Sequence, residues 1–181
     1  MKKTFLILLS VSFVFVAVKA CDNRSEKAKI AHPIMFKVID LLENRYHLRY
    51  AGREESSDKG AYKTIGLLFN KFGKMSKDEG RKTIIDCVNV LLNEINSDPK
   101  LQPFLINKPF TINNVRIVIV VFTSEGKDIF YPDIRVFSAF GGKINYSTKS
   151  PDHKYNYYTR EEETFEEAMR IIEAQNKEKE I

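Results

Sequence analysis

Arg45, Arg49 and Arg53 recur every four residues, the spacing that stacks side chains on one face of a helix. Three guanidinium groups in a row, with Tyr46 and Tyr50 beside them, make a candidate anion site for a phosphate, a lipid headgroup or an acidic partner. Cations near a helix C-terminus also complement its dipole, by about 0.3–1 kcal/mol each. Glu54 and Glu55 stand close enough to neutralise the stripe, so the dipole account is the simpler of the two.

Other reactive residue types are scattered. His32, His47 and His153 fall far apart and form none of the short pairs that zinc sites use, so no metal is expected. No serine sits in a G-x-S-x-G turn. Cys87 lies within an apolar stripe, where a thiol behaves as a small core residue rather than a nucleophile. Glu161, Glu162 and Glu163 resemble paired acids only superficially, because adjacent glutamates near a helix start are ordinarily solvated. No catalytic residue and no cofactor are therefore expected. Tyr146, Tyr155, Tyr157 and Tyr158 are more suggestive. On neighbouring strands they would present amphipathic rings with few torsions to immobilise, a candidate surface for a protein or glycan partner. An ordinary β surface has the same composition.

The elements that must position these residues can be read from periodicity. Pro33 suits the first turn of a helix, and Met35, Val38, Ile39, Leu42 and Tyr46 form one stripe. The polar run from Arg53 to Gly60 then ends that helix as a loop. Ser76-x-x-Glu79 is a capping box for a second helix, with Ile84, Cys87, Val88, Leu91 and Ile95 facing inward and Asp98-Pro99 as its stop. A third helix follows Thr159-x-x-Glu162 or Thr164-x-x-Glu167, both capping boxes, and buries Phe165, Met169 and Ile172. Strands are expected at 62–69, at the β-branched run 115–123, and at 134–140 and 143–148 around Gly141-Gly142. A last strand would use Tyr155 and Tyr157. The expected fold is α+β: an antiparallel sheet of about four to five strands with three helices packed mainly on one face.

The first twenty residues have a different character. Lys2 and Lys3 precede Thr4 to Val18, an apolar core too short for the roughly 20 residues of a spanning helix and shaped like a secretory signal. The formal net charge of the whole chain is +5, but without Lys2, Lys3 and Lys19 the remaining 26 basic residues face 24 acidic ones. That near-neutral body lacks the basic face nucleic acid demands.

Val18-Lys19-Ala20-Cys21 resembles the lipobox of bacterial lipoproteins. Val18 stands where that family usually has Leu, and Lys19 where it prefers a small uncharged residue. The resemblance implies cleavage before Cys21, diacylglycerol on its thiol and a further acyl chain, of the palmitate kind, on the new amino group. Ordinary signal cleavage after Ala20 remains open. Cysteine usage favours the lipid, because the exported chain would otherwise carry a free thiol at its first position. Several acyl chains hold a protein stably to a membrane where one holds it marginally. The chain divides accordingly into a signal peptide at 1–20, a lipidated tether at 21–29, one α+β domain at 30–176 and a frayed tail at 177–181. Asp22, next to the cysteine, resembles an inner-membrane retention signal, but sorting codes differ among bacterial groups and the membrane stays unassigned.

Leu41-Leu42-x-x-Arg45-Tyr46-x-Leu48-Arg49, Pro109-Phe110-Thr111, Gly141-Gly142-Lys143 and Glu162 to Ala168 together resemble a family of small uncharacterised proteins of intracellular bacteria. The likeness covers roughly residues 36–173 and implies a single domain, with no established activity. The expected role is a membrane-anchored envelope lipoprotein that binds a protein partner; the alternative is an exported enzyme with an unrecognised active site.

Overall fold

The computed structural model describes residues 24–152 and 156–178. The leader, Cys21, His153, Tyr155 and the last three residues lie outside them. Ser25 caps the first helix, α1 (Glu26–Tyr46), its hydroxyl accepting from the Ala28 amide. The helix thus starts ahead of His32-Pro33, and residues 26–29, expected in the tether, are helical. A serine cap followed by Glu26 in the first turn sets that start. α1 ends when His47 turns left-handed, at φ 51°.

The next element is a strand, where a loop was expected. β1 (Leu48–Asp58) pairs antiparallel with β2 (Ala61–Phe72) through a turn at Lys59-Gly60. β1 is an edge strand with Leu48 as its one buried residue, so it lacks the apolar alternation by which strands are recognised. α2 (Lys77–Ser97) begins at the capping box, complete in both directions between Ser76 and Glu79. β3 (Val115–Phe122), β4 (Val136–Phe140), β5 (Lys143–Ser147) and β6 (Arg160–Thr164) complete the sheet, and α3 (Phe165–Glu178) closes the described chain, helical through two residues expected to fray.

The fold is α+β, and among the described residues the sheet has six strands in the order β1-β2-β3-β4-β5-β6. The sheet is mixed, because α2 carries the chain back to the starting end and β3 lies parallel to β2; every other neighbouring pair is antiparallel. Phe69, Ile119, Phe137 and Tyr146 sit opposite one another across four strands, as do Leu67, Ile117, Ala139 and Ile144. These rows form one core with Met35, Val38 and Leu42 of α1, Ile84, Cys87, Val88, Leu91 and Ile95 of α2, and Phe165 and Ala168 of α3. The hairpin at Gly141-Gly142 has both glycines at positive φ, 60° and 77°, as a two-residue turn needs.

α1 orients the domain. At its start Lys27 donates to Ser57 Oγ (2.6 Å) and to the Gly60 carbonyl, beside the β1–β2 turn. At its end Lys71, near the finish of β2, donates to the Tyr46 carbonyl (2.9 Å). Twenty-one residues rising ~1.5 Å each put about 30 Å between those ends. Among the described residues no helix is long and apolar enough to cross a membrane.

Candidate functional site

The three arginines do not converge. Arg45 lies in the last turn of α1 and pairs with Asp86 of α2 (2.6 Å), whose same oxygen accepts from Tyr46 Oη at 2.7 Å. Burial, reinforced by Asp86, pushes the Tyr46 phenol up to about 12. Arg49 and Arg53 are on β1, and the bulge between Tyr50 and Gly52 turns them to opposite faces. Arg49 is opposite Asn70 on the open face, with its guanidinium over the Phe72 ring. Arg53 is opposite Leu67 on the helix face and pairs with Glu55 (3.0 Å), which also meets His32. The helix stops too early for the stripe to exist.

The tyrosines divide as well. Tyr146 is 2% exposed, in the helix-side core, because the pleat places it level with Phe137. Its hydroxyl donates to Glu163, whose carboxylate also takes a two-pronged contact from Arg81 of α2, at 2.7 and 3.1 Å. Burial works against the Glu163 carboxylate, but the Arg81 and Tyr146 hydrogen bonds outweigh it and hold its pKa below the usual range. The glutamates expected in a helix's first turn are thus in β6, each facing a cation: Glu161 Lys77, Glu162 Lys143 and Glu163 Arg81. The third helix takes the later capping box, Thr164 with Glu167. Tyr155 lies outside the described residues, and Tyr157 belongs to no strand.

Tyr157 and Tyr158 instead join Phe130 and Tyr131, two exposed aromatic residues that sequence reasoning missed. Tyr157 and Tyr158 lie in the β5–β6 connection, 56% and 49% exposed, beside Phe130 and Tyr131 of the β3–β4 connection, the latter 59% exposed. The Tyr131 and Tyr158 rings meet edge to face at 5.3 Å. Two backbone bonds fix this contact, from the Tyr131 amide to the Lys149 carbonyl (2.8 Å) and from the Tyr158 amide to the Thr148 carbonyl (3.0 Å). Beneath it Asp128 bridges Arg135 (2.7 Å) and Lys149 (2.8 Å), while Arg135 also donates to the Val121 carbonyl and stacks over Phe122 at 3.8 Å. The Lys149 hydrogen bond holds the Asp128 carboxyl below its usual range. The signal was present as Phe130-Tyr131-Pro132, an aromatic pair in a turn-forming segment.

The remaining candidates serve the fold. Cys87 is buried and its thiol is pushed up by that burial, the opposite of an activated nucleophile. His32 is buried against Glu55, His47 caps α1, and among the described residues no group of three metal-ligating side chains occurs. No family model, no curated protein and no solved structure matches this chain.

Proposed function

We propose that the protein is a lipid-anchored envelope protein, held to a bacterial membrane through Cys21, whose α+β domain binds a protein partner with its aromatic loop cluster. The observation that carries the partner reading is the Tyr131–Tyr158 contact flanked by Phe130 and Tyr157, rings left exposed on a backbone already pinned. Rings held in place lose little entropy on binding, which is how aromatic anchors come to dominate interfaces.

The geometry suits an anchored protein. Cys21 precedes the Ser25 cap by four residues, a reach of at most about 14 Å. An anchor there holds the β1–β2 turn toward the lipid. The aromatic connections lie at the other end, where Phe72 stacks on Phe122 (5.6 Å) and Lys74 pairs with Asp133. A partner in the envelope space meets that end first.

Two measurements test the proposal. The protein from its own cells is expected to partition into detergent with acyl mass at residue 21, and Cys21→Ser to lose both; unacylated mass overturns the anchor. A photo-crosslinking residue at Tyr157 is expected to capture one reproducible envelope protein, and Tyr131→Ser with Tyr158→Ser to abolish that capture in folded protein. Unchanged capture in the double variant overturns the partner surface and leaves the exported-enzyme reading ahead.

A further inference from the structure

A concavity of about 360 Å³ opens at the same end of the fold, with Tyr46, Lys71, Lys74, Met75, Glu79 and Lys82 in its lining. The crossover that makes β3 parallel to β2 creates it. β2 ends at Phe72, the chain turns through Gly73 and α2 starts after Ser76, so the hollow lies just beyond the carboxyl end of a parallel strand. Open sheets with parallel strands bind ligands in that position, and the volume falls within the range of small-molecule sites.

The charge of the hollow is specific. Lys71 shares the helix face with Leu67 and Phe69 and points its ammonium under the end of α1. Lys82 makes no ion pair among the described residues, and Lys74 has only a surface pair to Asp133, with three-quarters of its side chain exposed. Such a pair is worth little and is readily exchanged for a better anion. The one acid of the lining, Glu79, is engaged by the Ser76 cap, whose backbone and hydroxyl hydrogen bonds hold its pKa down. Once Lys74 exchanges Asp133 for a ligand, three ammonium groups against one engaged carboxylate leave the lining with an excess of two positive charges. Met75 and Tyr46 supply an apolar wall beside them.

We propose that this concavity binds a small phosphomonoester with an apolar or aromatic substituent. A phosphomonoester carries about two negative charges at neutral pH, matching the excess, whereas a carboxylate carries one. The capped α2 terminus offers dipole but no role as principal donor; the lysines hold the phosphate, and the substituent lies along Met75. The proposal does not rest on the lipid anchor or on the identity of any partner at the aromatic surface.

The test uses the full chain in detergent with methyl-labelled methionine, titrated with phenyl phosphate, inorganic phosphate and benzoate. Phenyl phosphate is expected to shift the Met75 methyl signal saturably, while the buried Met35 signal stays fixed and reports an intact fold. Inorganic phosphate is expected to bind more weakly, without the ring, and benzoate most weakly. Lys82→Gln and Lys74→Gln together are expected to raise the phenyl phosphate Kd at least about tenfold, as loss of charge-assisted hydrogen bonds does. Lys100→Gln, far from the hollow, is expected to change nothing. A Met75 signal that does not saturate, an affinity unchanged in the double variant, or equal affinity for benzoate overturns the proposal.

Discussion

Gly80 sits inside α2, where alanine would ordinarily be the better residue by about 1 kcal/mol. Here the reverse is expected. The helix crosses the sheet with Gly80 directly over Phe137, and a Cβ at that position would fall against ring atoms Cε1 and Cδ1 and 2.5 Å from Cζ. Carbon atoms pack at about 3.5–4.0 Å, so the ring must move by an ångström or more. It has nowhere to go: Phe137 is fully buried, edge-on to Tyr146 at 5.7 Å and opposite Ile119 in the sheet. Overpacking of this kind costs about 1–3 kcal/mol or more, and the helix-propensity gain offsets only part of it. Gly80→Ala is expected to destabilise by about 2 kcal/mol net, lowering Tm by roughly 4–8 °C for a domain this size. Urea titration gives the free energy, and a double-mutant cycle gives its origin. In a Phe137→Leu background the same substitution is expected to be near neutral, since neighbours in contact do not add. A Gly80→Ala variant more stable than the parent, or equal costs in the two backgrounds, refutes the reasoning.

Glu163 has its native pKa depressed below the unfolded value, so its pairing contributes stability at neutral pH that is lost as pH falls through the native pKa. Glu163→Gln is expected to cost about 2 kcal/mol at pH 7 and to flatten the acid limb of a pH–stability curve below pH ~4; an unchanged limb counts against the pairing. Cys87 is expected to resist thiol reagents until the protein unfolds, because its thiol is buried and pushed up in pKa. With Cys21 acylated, protein from native membranes then titrates as thiol-free when folded, and reaction in the folded state contradicts one of the two statements. Asp128→Ala frees Arg135 and Lys149 together and is expected to expose the 123–135 connection to limited proteolysis; equal cleavage rates with the parent mean the bridge does not hold that connection.

Helix-side burial was legible from the sequence, and strand edges were not. The stripe Ile84, Cys87, Val88, Leu91 and Ile95 is buried throughout, because a helix against a sheet writes its inward face as a three- and four-residue period. β3 alternates buried and half-buried residues along its length, and its β-branched run marked it as a strand in the sequence. β1 and β6 are the two edge strands, and polar residues dominate both. β6 reads Arg-Glu-Glu-Glu-Thr, poor strand residues by propensity, and holds its place through ion pairs to α2 and β5 that span 19 to 84 positions of sequence. A partner that distant leaves no local mark. The tyrosine surface failed in part for a related reason: a shift in strand position decides which face a ring takes, and Tyr146 took the core.

The one parallel pair explains why both proposed surfaces share an end. An all-antiparallel meander returns by hairpins and leaves its connections divided between two ends. Inserting α2 between β2 and β3 forces the chain back across the domain, so the carboxyl ends of β2 and β3 finish together, with Phe72 stacked on Phe122. From there one chain segment opens into the lysine hollow and the other into the Phe130-Tyr131 connection, and the Lys74–Asp133 pair ties the two segments at 2.7 Å. A phosphomonoester that draws Lys74 into the hollow must release Asp133, two residues from Tyr131. Ligand and partner are therefore expected to be coupled, with a common free energy read in either direction. The Asp133→Asn variant separates the possibilities. It leaves Lys74 free in advance, so it is expected to tighten phenyl phosphate binding and to remove any influence of that ligand on crosslinking through Tyr157. Crosslinking that responds to phenyl phosphate equally in parent and variant shows that the coupling runs through some other contact.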